Sequence, residues 1–586
     1  MTEPLGPGVL EPTTEAVPTT AVEVLDGAPG NGPVAPPHRA RRLRWAFAAV
    51  FAVVVLAAGA LSFAALAGGS STSAVVAWAP SDAVAYTELR ADMPGDQRAN
   101  LLAFLSHFPG FADQTNFDAK ADDGLNKLVQ RLTNSKHDFS AEIKPWFSGQ
   151  LGVSVEAGDA SSPAVLLVAS VRDSAAAATW LKSIAPAGAT HETAGGVDLT
   201  VVAADTGSSS KVAWGLDGSV LLAGSIDTVK AAISRGPSGA LAGDASFKAA
   251  SAALDGDSLG TVYVDLKAYL KLLTSAEAQM LSQVGAASGG TAPALALPSF
   301  DPASLPGWLA MRVRAESDHL VLDEALPTVK VAGVTPGQNR VGTLAASLPS
   351  DTVAQYEVHD FGTMIKSGLT ALEKTPGGPT AAQVDDIAKY VGGVDKAIGW
   401  IGDTDAVVLS GRAGFSGGLV AQTTDPTASA DLVTALKSLA TLGGAQAGIA
   451  LSSETYNGHT INLVKAAGLT GSDEYSIAFS LSDKLVIVGV GDSFVKSVLD
   501  TKSGSSLADQ PAYQRALGMA GTSNVGQAYV DVTALRTGLE ALAAGSSGLA
   551  AYASDVKPFL EPIQSIALSQ SLGSDVSTGR FVLVVK

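Results

Sequence analysis

Tyr263-Val264-Asp265 returns as Tyr529-Val530-Asp531. The same offset carries Leu241 onto Leu507, Phe247 onto Tyr513 and Val229-Lys230 onto Val495-Lys496. Earlier landmarks recur in the same order. Pro80-Ser81-Asp82 comes back as Pro349-Ser350-Asp351, Asp122-Asp123 as Asp385-Asp386, Trp146 as Trp400 and Leu181-Lys182-Ser183 as Leu436-Lys437-Ser438. Self-similarity over such a span is read first as repeated construction.

Each copy parses into alternating strands and helices. Thr261-Val262-Tyr263-Val264 reads as a strand, and Asp265 as the N-cap of a helix with Leu266, Leu270 and Leu273 on one face. Asp531 stands in the same relation to Val532, Leu535, Leu539 and Leu542. Ala83 to Tyr86 and Val353 to Tyr356 read as strands, each followed by a helix that a proline closes, at Pro109 and Pro376. Hairpins are expected at 151–156 with 164–171 and at 406–410 with 418–423, followed by helices opened at Asp173-Ser174 and Asp425-Pro426. Two-strand segments end each copy, at 308–314 with 319–324 and at 566–570 with 580–585. The fold class expected is α+β, with two tandem homologous modules of mainly antiparallel sheet and packed helices. Gln338 to Val341 falls in a connection, so the modules are bounded at 69–335 and 336–586.

Ahead of the repeats, Trp45 to Ala67 is an uncharged apolar run of 23 residues. As a helix it rises about 34 Å, enough for a hydrocarbon core of about 30 Å. Arg39, Arg41, Arg42 and Arg44 precede it, which orients the N-terminus to the cytoplasm and the bulk of the chain outside. Ala65-Leu66-Ala67 resembles a signal-peptidase site, but the long run and the long preceding tail favour an uncleaved anchor. The expectation is a single-pass cell-membrane protein with a transmembrane helix at 43–68 and a disordered tail at 1–42. That tail holds eight prolines before His38 and five acids with no base before Arg39. Thr13-Thr14 and Thr19-Thr20 are phosphoacceptor candidates within it.

The net charge of −18 disfavours nucleic acid as a partner. With no cysteine there are no disulfides, thiolate nucleophiles or thiolate metal sites. Chemistry is otherwise sparse. His359-Asp360 joins a histidine to an acid. Gly414-Phe415-Ser416-Gly417-Gly418 matches the bare nucleophile-elbow pattern, but it falls between two strands, where a hairpin turn is the better reading. Asp255-Gly256-Asp257-Ser258 is half a calcium loop without its later acid, and His107 a helix-end residue. Asp122-Asp123 and Asp385-Asp386 read as first-turn acids that favour the helix dipole. No catalytic, cofactor or metal residues are assigned.

The single span, the Pro80-Ser81-Asp82-Ala83 entry into an aromatic strand, Phe108-Pro109 and Pro145-Trp146 together resemble the bacterial domain-of-unknown-function 3352 family. The resemblance implies a membrane-anchored envelope protein and carries over no catalytic residue. The function expected is a non-enzymatic extracytoplasmic module binding an envelope protein or a small molecule. The alternatives are a hydrolase with a dispersed site and a structural spacer.

Overall fold

The computed structural model describes residues 73–586 apart from 114–116, 133–136, 160–161, 204–210, 238–239, 255, 273–304, 331–336, 374–379, 390–391, 412–413, 448, 467–474, 483, 503 and 545–548. The strands of the first half are β1 (Ala83–Arg90), β2 (Phe147–Asp159), β3 (Ser162–Val171), β4 (Thr190–Ala194), β5 (Val197–Ala203), β6 (Lys211–Asp217), β7 (Val220–Ser225), β8 (Gly260–Asp265), β9 (Trp308–Ala315) and β10 (His319–Pro327). Those of the second are β11 (Arg340–Val341), β12 (Thr352–Val358), β13 (Ile401–Gly411), β14 (Gly414–Thr423), β15 (Ile449–Tyr456), β16 (His459–Ala466), β17 (Tyr475–Leu481), β18 (Leu485–Val490), β19 (Ser523–Asn524), β20 (Gly526–Asp531), β21 (Ile563–Ser571) and β22 (Val576–Val585). All strand pairs are antiparallel, and helices complete a mixed α and β architecture.

Twenty of these strands form one sheet. Followed pair by pair, the first half runs β4-β5-β6-β7-β3-β2-β1-β8-β9-β10. The second runs β15-β16-β17-β18-β14-β13-β12-β20-β21-β22. The two orders match strand for strand, and the halves join where β10 pairs β22 from His319↔Val584 to Pro327↔Val576. Arg340 and Val341 pair Asn524 and Ser523 in a separate two-stranded sheet, so the connection near 338–341 is itself structured.

Local devices repeat with the topology. Asp265 accepts from the Ala268 N–H at 2.9 Å and Asp531 from Ala534 at 2.7 Å, which makes both the helix caps their spacing implied. Asp173 and Asp425 cap their helices through Ala176 and Ala428. The indoles of Trp146 and Trp400 each donate to a backbone carbonyl one turn back, of Glu142 and Ala397, at 2.9 Å. Pro80 bridges Ala240, and Pro349 bridges Ser506.

Every residue of β1 is buried, as expected of a strand covered on both faces. Alternate β1 side chains enter different cores. Tyr86 packs with Leu241, Tyr263 and Trp308, whereas Leu89 packs with Trp146, Ala177 and Leu181. The seam is apolar too. Val321 of β10 belongs to the second-half core with Val582 and Val584. Val585 packs against Leu101, Phe104 and Leu105 of the first half.

Two expectations are corrected. Asp122 and Asp123 sit in the middle of helix Phe117–Leu132 and not in its first turn, and Asp385-Asp386 lie late in helix Ala381–Ala388. Asp122 and Asp123 instead meet the ammonium groups of Lys144 and Lys127, each at 2.6 Å, and Asp386 meets Lys389 at 3.1 Å. Ser416 lies inside β14 opposite Leu409, so the glycine-rich segment is strand and not a turn. Among the described residues no helix is long and apolar enough to cross a membrane. The tail at 1–42, the apolar segment at 43–68, Asp255 and Leu273 lie outside the described residues.

Candidate functional site: a buried histidine–carboxylate cluster

Period-two geometry places Glu357 and His359 on one face of the β12 line, and Asp403 and Asp405 together on β13. Glu357 stands opposite Asp405 in the register, so a glutamate–histidine pair meets an aspartate pair across one strand boundary. Glu357 and Asp405 are 0 % exposed, and His359 and Asp403 3 %. Nδ1 of His359 lies 3.2 Å from Asp403 Oδ2 and 3.7 Å from Glu357 Oε1. One ligand atom from each of Glu357, His359 and Asp403 falls within 4.8 Å of the others.

The surroundings satisfy part of the cluster. Gln527 donates to Glu357 Oε2 at 2.9 Å. Gln355, with its NH₂ turned toward β13, donates to Asp405 at 2.5 and 3.1 Å. The Asp360 N–H donates to Asp403 Oδ1 at 3.1 Å, and the Arg340 guanidinium pairs with both Asp403 and Asp360. Oε1 of Glu357 and both ring nitrogens of His359 have no hydrogen-bond partner in the protein. At Gly342 a side chain would collide with the Glu357 carboxylate, whose Oε1 lies 2.8 Å from the site of a Cβ.

The electrostatics follow from burial and proximity. Burial pushes the Asp405 carboxyl well above the usual range, and the charges of Glu357 and Asp403 push the same way. Burial likewise raises Glu357, against the pull of His359. Burial alone would lower His359, but the close Asp403 carboxylate and the Glu357 charge win and raise it. Burial works against ionisation of Asp403 also, yet the His359 contact and the Asp360 N–H hold it low.

The first half has a counterpart. The Pro80 and Pro349 landmarks place Glu88 at the position of Glu357 and Arg90 at that of His359. There the Arg90 guanidinium binds Asp92 through Nε at 2.8 Å and Nη2 at 2.9 Å, and lies 3.7 Å from Glu88. Tyr86 donates to Glu88 at 2.9 Å and Gln150 to Asp92 at 2.9 Å. This cluster borders a cavity of about 250 Å³ that Thr261, Tyr263 and Arg312 also line.

Of the residues singled out by sequence, His359 and Asp360 join the second-half cluster, but Ser416 does not. Ser416 borders a surface groove with Val408, Val490 and Ser493. His107 contacts the Phe104 carbonyl at a helix end. Asp257 lies on the first-half cavity. Glu357, Asp403 and Asp405 escaped sequence reading because acids inside apolar strands look like a solvent face. The available signal was Glu357-x-His359 aligned on Glu88-x-Arg90.

No curated protein matches the chain. Solved structures of TP0453 in crystal forms IV and III share 13 % and 12 % identity with it, covering 44 % and 47 % of this chain and 81 % and 91 % of theirs. Both TM-scores are 0.23, too low to carry an argument about fold or function. A family profile described as "Protein of unknown function (DUF3352)" matches residues 46–586, nearly the whole length, and the chain belongs to that family.

Proposed function

We propose that the chain is a single-pass envelope protein whose duplicated extracytoplasmic body is a non-enzymatic binding module. The observation that carries the binding role is a cavity of about 250 Å³ at the junction of the halves. Leu254, Arg312 and Asp323 line it from the first half, and Ala520, Ser569 and Arg580 from the second. Pockets between packed units are common ligand sites. Arg312 and Leu254 also line the first-half cavity, so one ligand contact reaches both. The histidine–carboxylate cluster is sealed from solvent, which suits holding a group more than turning one over. The anchor reading rests on Trp45 to Ala67 and the arginines before it.

Two measurements test this. A reporter fused after Lys586 should be active only outside the cytoplasm; cytoplasmic activity would end the envelope reading. A photo-crosslinking residue at Thr578, on the seam cavity, should capture a discrete partner in intact cells that the same residue at exposed Ser183 does not. Identical adducts at both positions, or none at either, would overturn the binding role.

A further inference from the structure

We infer that the second half holds one divalent transition-metal ion of the zinc type, bound by Glu357, His359 and Asp403. Three independent features lead there. The first is unsatisfied ligand atoms: Glu357 Oε1 and the His359 ring nitrogens are buried and make no hydrogen bond in the protein. Leaving such atoms unpaired in a dry interior is costly. The second is spacing. Two ligands on a tetrahedral ion with bonds of about 2.1 Å are about 3.4 Å apart. The observed separations of 3.2 and 3.7 Å from His359 Nδ1 bracket that value.

The third feature is the first half, which serves as an internal control. There Arg90 supplies a fixed cation between Glu88 and Asp92, at the position that His359 takes in the second half. The second half keeps the glutamate and an aspartate but replaces the permanent charge of the guanidinium with an imidazole, which ligates a metal in its deprotonated form. Arg340 offsets part of the excess by pairing with Asp403 and Asp360, and among the described residues neither Glu357 nor Asp405 pairs with a lysine or arginine. A metal ion does there what the guanidinium does in the first half. One imidazole and two carboxylates suit zinc or manganese better than calcium, which takes six or more oxygens. Full burial fits a structural site filled during folding.

The test uses the full-length protein in detergent, stripped with chelator, incubated with Zn²⁺ or Mn²⁺ and freed of excess metal. Wild type should retain about one equivalent of metal and melt at higher temperature with it. His359→Arg, which installs the first-half solution, should retain none and keep its fold without metal. Glu357→Gln, nearly isosteric, should also lose the ion. His459→Ala, a histidine outside the cluster, should bind as wild type does. Retention by Glu357→Gln equal to wild type, or no retention by folded wild type, overturns the inference. So does binding that disappears with His459→Ala. Should His359→Arg not fold, Glu357→Gln alone decides.

Discussion

At Gly418 and Gly489 the backbones of β14 and β18 face each other and leave room for one ring. A Cβ on Gly418 would collide with the Val488 carbonyl oxygen and stand 2.5 Å from the Phe494 ring, and one on Gly489 would stand 2.7 Å from that ring. The first half solves the same position differently. Leu166 pairs Gly224 where Gly418 pairs Gly489, and Thr228 takes the helix position of Phe494. A large residue on the strand with a small one on the helix has been exchanged for the reverse, which conserves volume. Gly418→Ala should therefore destabilise the protein by about 1–3 kcal/mol in urea titration. A neutral result would show that the β18 backbone and the ring both give way freely. The aspartate caps are a milder case: Asp531→Ala should cost about 1 kcal/mol, read by the same titration.

Between β10 and β22, Asp323 is the hub. Directly opposite it in the register, Arg580 donates at 2.6 Å, and Arg312 and Arg314 each donate at 3.1 Å. Burial opposes ionisation of Asp323, but Arg580 and then the other two arginines outweigh it and hold its pKa below the usual carboxylate range. A depressed folded-state pKa means stability that is fully present above the unfolded pKa. It is lost as pH falls toward the folded value. Asp323→Asn should cost about 3 kcal/mol near neutrality, because the Arg312–Asp323 ion pair, buried on both sides, is broken. Its stability should also fall less steeply than that of wild type below the usual carboxylate pKa. Parallel acid limbs for the two proteins would show that the seam does not depend on this ionisation. Elements of this kind were unevenly legible in sequence. The Asp265 and Asp531 caps could be read because a cap and its helix are neighbours in the chain. The β13 strand was expected from Ala406 but begins at Ile401, because Asp403 and Asp405 are residue types that strands avoid. Their partner Glu357 lies on another strand, and only the register brings them together.

Across the whole molecule, order should decline from the middle of the sheet to its ends. Among the described residues β4 and β15 are terminal in the pairing order, each bonded to one neighbour, whereas β1 and β12 lie inside. β4 is also largely exposed, while β1 is buried throughout. Hydrogen exchange on the full-length protein should protect β1 and β12 amides over those of β4 and β15 by a factor on the order of 10³. Uniform protection would mean that the twenty strands open only together.

The β10–β22 pairing sets a timetable as well as a shape. β22 begins only at Val576, yet its partner β10 was completed at Pro327. Roughly 250 residues are made between them, on the order of 10–50 s of synthesis. Throughout that interval β10 has β9 on one side and an unfilled edge on the other. Such an edge can recruit the wrong strand, from a neighbouring chain above all. The synthesis of β22 is thus the step that ends this vulnerability, and a nascent chain cut short before Val576 would never leave it.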